Sequence, residues 1–309
     1  MIFVTASDGR KLIVVDFNCR RGASMFRNET MKNELQEATA ALPKVSVVIP
    51  SFNHSKYIED AILSVMRQSF QEIELIVIDD GSTDGSVEKL RDMRKDYDFK
   101  LICQENRGVC KTLNRAICEA STGKYLALLA SDDFWHKDKI RLQVEALSRS
   151  PESEFCFSQA REFVDAALPE NGQIFPRRCR EGYVLNSVFI RQHVPAGSML
   201  FSRRLFDALG GFDEDLREED WDFVIRSAAV TSFAAVNRPL LYYRAHDTNT
   251  MRTRSRLATF QQKAKILAKN MHLVSPWIWL VASALHFVHD IILQGLKMLT
   301  SFGAKQTSG

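Results

Sequence analysis

The chain has 309 residues, 45% hydrophobic and 26% charged, the balance of a folded globular protein with room for one large domain or two modest ones. Its composition carries no low-complexity tract or internal repeat, and its six cysteines form no CxxC pair and no metal-type spacing with histidine, so they read as free thiols of a reducing compartment. The net charge of +3 is unevenly spread: residues 251–309 hold eight basic residues and one acidic one, leaving 33 basic and 37 acidic in the rest.

No signal peptide opens the chain, because Met1–Gly22 is charged and lacks an apolar core segment. Lys11–Phe17 reads as a short strand and Glu29–Leu42 as a helix of strong formers, with Met31 a candidate for the biological start. After Pro43 the pattern sharpens. Val45–Ile49 is an apolar β-branched run that stops at Pro50 and the polar Ser51-Phe52-Asn53-His54. Tyr57–Gln68 has apolar residues at 58, 61, 62, 65 and 66, which is helical spacing. Strand Glu74–Ile78 stops at Asp79-Asp80-Gly81-Ser82, and helix Ser86–Asp96, strand Lys100–Cys103, helix Val109–Ala120 and strand Tyr125–Leu129 follow. Continuous apolar strands alternating with helices predict a parallel sheet covered on both faces. Ligands of such sheets bind beyond the carboxyl ends of the strands, so Ser51-Phe52, Asp79-Asp80 and Asp132-Asp133 are expected to share one crevice.

Asp132-Asp133 ends an apolar run with two carboxylates that repel each other, which calls for a positive charge beside them. No G-x-G-x-x-G follows the first strand and no G-x-x-x-x-G-K-[ST] occurs, so phosphates here are neutralised by other means than a dinucleotide or P-loop cradle. Paired carboxylates suit a Mg²⁺ or Mn²⁺ ion that clamps a diphosphate.

Four ordered motifs, Val45-Ser-Val-Val-Ile-Pro-Ser-Phe-Asn53, Ile76-Val-Ile-Asp-Asp-Gly-Ser-Thr-Asp84, Glu105-Asn-Arg-Gly108 and Ser131-Asp-Asp133, resemble family 2 glycosyltransferases of the GT-A fold over roughly residues 44–250. The resemblance implies a mostly parallel central sheet covered by helices, with a C-terminal helical extension. It implies that Phe52 stacks on the base, in a strand end shared with Pro50, and that Asp80 accepts a hydrogen bond from the base. It puts Arg107 near the nucleotide, Asp132 facing the ribose and the metal-bound nucleotide, and Asp133 on the metal. Ser131 stands where many members carry a further Asp. Asp79 reads more simply as a cap of its own turn.

In the second half, Gly197–Ser202 reads as a short strand and Arg204–Leu209 as a helix. Gly210-Gly-Phe-Asp-Glu214 and Glu219-Asp220 resemble the family's acceptor-side motifs, with Glu219 on the substrate and Asp220 as the base that deprotonates the acceptor hydroxyl. A helix N-terminus at Asp220 is expected to keep it ionised. His246, after Leu240–Ala245, is a candidate to complete the metal site. The Q-x-x-R-W motif of processive synthases is absent, which favours transfer of one sugar per encounter. The implied reaction is an inverting transfer from a nucleotide-diphosphate sugar, a UDP-sugar being favoured, to a saccharide or lipid-linked saccharide acceptor in bacterial surface-polysaccharide synthesis. Alternatives are a nucleotidyltransferase of similar sheet and a non-catalytic sugar-nucleotide-binding subunit. No nucleic-acid partner is expected.

The tail carries an acid-free basic run through Arg252, Arg254, Arg256, Lys263, Lys265 and Lys269, then the apolar Trp277–Leu293. At seventeen residues this is at the short limit of a span, and Ser283, His286, Asp290, Gln294 and Lys297 draw one polar stripe. That pattern favours a helix lying in the membrane interface, with the basic run on anionic lipid. The competing reading packs it on the catalytic domain or a twin subunit. The expected parts are an N-terminal extension (1–43), a catalytic domain (44–250) and a basic helical region (251–309). The expected place is the cytoplasm, peripheral on the inner face of the membrane.

Overall fold

The computed structural model describes residues 2–5, 11–14, 42–164, 171–216, 220–246 and 255–293. The chain divides into two compact units, Met1–Leu42 and Pro43–Gly309. In the first, β1 (Ile2–Thr5) and β2 (Lys11–Val14) pair antiparallel, with Ile2 opposite Val14 and Thr5 opposite Lys11. The helix expected over Glu29–Leu42 lies outside the described residues.

The second unit is built on a nine-stranded sheet of order β5-β4-β3-β6-β10-β8-β11-β7, with β9 beside β8. Its first half follows the sequence pattern closely. Strands β3 (Val45–Ser51), β4 (Ile73–Asp79), β5 (Lys100–Cys103) and β6 (Tyr125–Leu128) run parallel. They are connected by α1 (Ile58–Met66), α2 (Ser86–Met93) and α3 (Val109–Ala120). The apolar runs are continuous because both faces are covered, and the period-2 alternation divides each strand between two cores. Val48, Ile76, Ile78, Leu126 and Leu128 enter one core. Val45, Val47, Ile49, Leu75 and Val77 enter the other.

The second half is mixed. After β7 (Phe134–Trp135) and α4 (Lys139–Arg149) comes the long β8 (Ser153–Phe163), paired antiparallel with β9 (Ile174–Phe175). Then follow α5 (Leu185–Ile190), β10 (Leu200–Ser202), α6 (Arg203–Ala208) and α7 (Asp220–Val230). The thirteen-residue β11 (Ser232–Arg244) lies parallel to β8 and antiparallel to β7. β10 is antiparallel to both β6 and β8, and so splices the parallel half to the rest.

Two helices close the described chain, α8 (Arg256–Lys269) and α9 (Pro276–Phe287), the latter running into a π-helical turn over Val288–Leu293. Ser255 and Ser275 cap them, accepting from Ala258 and Ile278 backbone N–H groups, and Pro276 fits the first turn, where its missing N–H has no partner to lose. Of the basic run and the polar stripe of this tail, the described lysines and His286 find partners within the protein. Lys263 donates to Asp290 at 2.7 Å, Lys265 to the Asp215 carbonyl at 2.7 Å and Lys269 to Asp213 at 2.6 Å. His286 meets the Ile190 carbonyl at 3.1 Å. Where the sequence pattern expected these three lysines on lipid, Lys265 and Lys269 find partners on the body and Lys263 pairs within the tail, with Asp290. Arg252 and Arg254 lie outside the described residues. The outward face of α9 and its extension is apolar, with Trp277, Leu280, Leu285, Phe287 and Ile292 exposed. No described helix is long and apolar enough to cross a membrane.

Candidate active site

The carboxyl ends of β3, β4 and β6 carry the residues singled out above, and two turns lace them together. Asn53 adopts a left-handed φ of 54°, which Asn tolerates better than most residues. Its backbone N–H donates to the Ser82 hydroxyl, and its side-chain oxygen accepts from the Thr83 N–H, each at 2.8 Å. Asp79 is fully buried and caps the second turn, accepting from the Ser82 N–H at 2.8 Å and the Ser82 hydroxyl at 2.7 Å. Gly81 has φ of 85°, and a Cβ there would stand 2.9 Å from the Asn106 nitrogen, so the turn requires glycine twice over.

Asp80 works largely on the neighbouring loop. Its Oδ1 accepts from the Arg107 N–H at 2.9 Å and from Gln104 Nε2 at 2.7 Å, and its Oδ2 accepts from the Gly108 N–H at 2.9 Å. An ionised carboxylate has about four acceptor positions, so one remains for a ligand. Phe52 is 45% exposed at the mouth of the crevice, and the Arg107 side chain is exposed. Pro50 is half-buried in β3, opposite Ile78 of β4.

The carboxylate pair divides its labour in a way the sequence did not reveal. Asp133 is 3% exposed, and its Oδ1 accepts the backbone N–H of Arg244 at 2.9 Å. Burial, with the Asp132 charge adding to it, raises its carboxyl well above the usual range. Asp132 instead turns its Oδ2 to His246 Nε2 at 3.0 Å and to His54 Nε2 at 4.0 Å. His54 is aimed by its other nitrogen, Nδ1, which is 2.7 Å from the Ser131 hydroxyl. His246 is stacked on Tyr57, ring centroids 4.9 Å apart. Single ligand atoms of His54, Asp132 and His246 all lie within 4.8 Å of one another, and no other cluster of three metal-ligating residues occurs among the described ones. Burial lowers the His54 pKa despite the pull of Asp132, which favours the neutral imidazole that a metal binds. Two imidazole nitrogens and a carboxylate oxygen fit a transition-metal ion such as Mn²⁺ better than Mg²⁺, which takes oxygen. The sequence reading put Asp133 and His246 on the metal. The geometry brings His246 to Asp132 and adds His54, while Asp133 faces the β11 backbone. Arg244, also unforeseen, holds this corner: its Nε donates to the Asp132 carbonyl at 2.8 Å, and its guanidinium lies 4.9 Å over the Tyr57 ring.

Asp220 opens α7, and Gln192 Nε2 donates to its Oδ2 at 3.3 Å. Burial raises its pKa, although the Gln192 hydrogen bond and the N–H groups of Trp221 and Asp220 at the helix start oppose this. Desolvation thus works against the helix end at this group, and a carboxylate with a raised pKa is the stronger proton acceptor. Glu219 lies outside the described residues. The segment from Gln192 runs to Gly197, whose carbonyl accepts from Trp135 Nε1 at 2.7 Å and where a Cβ would lie 3.8 Å from Asp133 Oδ2. A few residues of chain therefore connect the surroundings of Asp220 to the carboxylate pair.

A sequence model described as glycosyl transferase family 2 matches residues 46–210. A chondroitin synthase of Escherichia coli is 30% identical over 225 residues, which are 71% of this chain and 32% of that protein. A putative teichuronic acid biosynthesis glycosyltransferase of Bacillus subtilis, TuaG, is 43% identical over 105 residues, 33% of this chain and 41% of that one. The chain thus spans between about a third and two fifths of the length of these curated relatives. Among solved structures, Staphylococcus aureus TarS 1–349 in complex with UDP-GlcNAc superposes with a TM-score of 0.63 at 17% identity, covering 80% of this chain and 73% of TarS 1–349. A mannosyltransferase of Pyrobaculum calidifontis in complex with GDP-Man and Mn²⁺ gives 0.54 at 19% identity, covering 92% and 88%. These two likenesses establish the GT-A fold.

Proposed function

The chain belongs to glycosyl transferase family 2, and from that membership we propose that it transfers one sugar from a nucleotide-diphosphate sugar to an acceptor hydroxyl with inversion at the anomeric carbon. The observation that carries this reading is the His54, Asp132, His246 cluster at the strand ends that the fold uses for ligands. These three residues would hold a Mn²⁺ ion, which when bound neutralises the diphosphate of the donor and of the departing nucleotide. Phe52 offers an exposed ring to the base, and Asp80 offers its remaining acceptor position. Asp220 takes the proton from the acceptor hydroxyl as that oxygen attacks the anomeric carbon and the bond to the nucleotide diphosphate breaks. Its partner Gln192 keeps the carboxylate aimed. A UDP-sugar donor is supported by the UDP-GlcNAc complex of TarS, and a surface-polysaccharide role by the names of the relatives, a chondroitin synthase and a putative teichuronic acid biosynthesis glycosyltransferase.

The outward apolar face of α9 supports a peripheral membrane attachment, in which Trp277, Leu280 and Leu285 enter the lipid interface. The decisive test of the site is calorimetric titration of UDP in the presence and absence of Mn²⁺. Binding should require Mn²⁺ and vanish in Asp132→Asn; binding of equal strength with EDTA present overturns the metal assignment.

A further inference from the structure

Beside the candidate base lies a cavity of about 1390 Å³, bounded by the chain after β9, by α5 and by the turn that follows it. None of Phe52, Asp80, Arg107, Asp132 and His246 lines it, so it is separate from the donor crevice. Pockets for drug-sized ligands run to about 300–1,000 Å³, and this one has room for several linked sugar rings.

Its charge is the second observation. Arg177, Arg178, Arg180 and Arg191 line it against a single carboxylate, Glu181. All four arginines are exposed, and none forms an ion pair among the described residues. Some arginines elsewhere on the protein are paired, as Arg115 with Glu119, Arg141 with Glu145, Arg204 with Glu154 and Arg226 with Asp222; what sets these four apart is that they crowd one concave wall. Four guanidinium groups gathered on one concave wall repel each other, and their planar forks fit carboxylate and phosphate oxygens two at a time. Aromatic faces complete the wall. Tyr183 is 86% exposed, and Phe175 is held edge-on by Tyr243 at 6.1 Å. Such rings stack on the apolar face of a pyranose.

The third observation is direction. Gln192 lines the cavity and donates to Asp220, so the wall of the cavity ends on the side chain that holds the proposed base.

We propose that this cavity is the acceptor subsite and that the acceptor is a polyanionic glycan, with carboxylate or phosphate groups repeated along it. The proposal rests on the glycosyltransferase reading above and adds the class of acceptor. Uronate and sugar-phosphate chains share the anionic chemistry that the arginines recognise.

Binding to the full chain, with UDP and Mn²⁺ present, tests this by fluorescence anisotropy of labelled probes. The probes are an oligogalacturonate, a glycerol-phosphate oligomer, neutral maltohexaose and a short oligothymidylate. One or both anionic glycan probes should bind at least about tenfold more tightly than maltohexaose, and the tighter one identifies the source of the charge. Arg177→Gln, Arg178→Gln and Arg180→Gln together should weaken that binding by about 10–100-fold, the range expected for lost charge-assisted hydrogen bonds. The variant should keep its melting temperature and its Mn²⁺-dependent affinity for UDP. Arg191→Gln and Tyr183→Ala, single changes of exposed side chains, should each weaken it by a smaller factor and stand in if the triple variant misfolds. The proposal falls if maltohexaose binds equally well, if oligothymidylate binds as tightly as the glycans, if neither anionic glycan binds, or if the arginine variants keep the wild-type affinity. Failure of UDP to bind, with anionic glycan binding intact, would instead overturn the donor site alone.

Discussion

At the scale of single residues, two neighbours with the same formal charge do different work. Asp133 spends an oxygen on the Arg244 backbone and is held above the usual carboxyl range, while Asp132 faces two imidazoles. Asp132→Asn should therefore weaken Mn²⁺-dependent UDP binding by at least about tenfold. Asp133→Asn keeps an acceptor for the Arg244 N–H and should leave that binding within a fewfold of wild type. Equal losses in calorimetry would return Asp133 to the metal. Asp220→Asn should leave UDP binding unchanged and lower turnover by about 10²–10⁴-fold, the worth of a general base. The same substitution should stabilise the fold at neutral pH. A carboxyl whose folded pKa is raised above its ordinary 3.8 binds more protons folded than unfolded, so stability falls as pH rises from 3.8 through the raised value. Melting temperatures of variant and wild type should coincide near pH 3.5 and separate by pH 8, with the variant higher. Asp80, Asp132, Asp133 and Asp220 stand out in the sequence because each sits in a short motif at a strand or helix end. His54 does not, since it lies 78 residues from Asp132 and nothing local marks a shared ligand set. It stood in the very turn that ends β3, and only the fold says what that turn faces.

Elements differ in how much of them the sequence displays. Strands β3, β4, β5 and β6 were readable to within two residues, because each is an apolar run stopped by a polar turn. β8 and β11 were not: Ser158, Gln159, Arg161 and Glu162 dilute the first, and Asn237-Arg238-Pro239 breaks the second where its pairing with β8 shifts register. The tail helix α8 was legible as a basic segment, but its anchors were not. Asp222 is 1% exposed and accepts from Arg226 Nε at 2.7 Å and Asn270 Nδ2 at 2.8 Å, with Lys269 beside it at 2.9 Å. Removing a buried carboxylate leaves its cations uncompensated, so Asp222→Ala should lower stability in urea by about 3–5 kcal/mol. Glu119→Ala, which breaks an exposed pair with Arg115, should change it by about 1 kcal/mol or less. Similar losses from the two would remove Asp222 as the anchor of α8.

For the molecule as a whole, the described part of the tail commits its lysines to partners in the protein and leaves apolar side chains exposed. Its described lysines are committed to Asp290, Asp213, Asp222 and the Asp215 carbonyl. Attachment to lipid vesicles should then respond weakly to salt, since screening acts on charge and not on buried apolar area. Trp277→Ser, Leu280→Ser and Leu285→Ser together should release the protein from phosphatidylglycerol vesicles in a sedimentation assay, and raising NaCl to 0.5 M should not. A salt-driven release would restore the basic residues to the membrane. The tail also braces α5, because His286 reaches its last residue. Finally, β11 lies between β8 and β7, and His246 follows two residues after its end, whereas the family match stops at residue 210. A ribosome delivers the chain from its N-terminus, so the nascent protein exposes a bare β8 edge and an unanchored Asp132 turn until β11 emerges. The His54, Asp132, His246 cluster can therefore close only after β11 has emerged, and until then that open edge is the part of the sheet most prone to pairing with another chain.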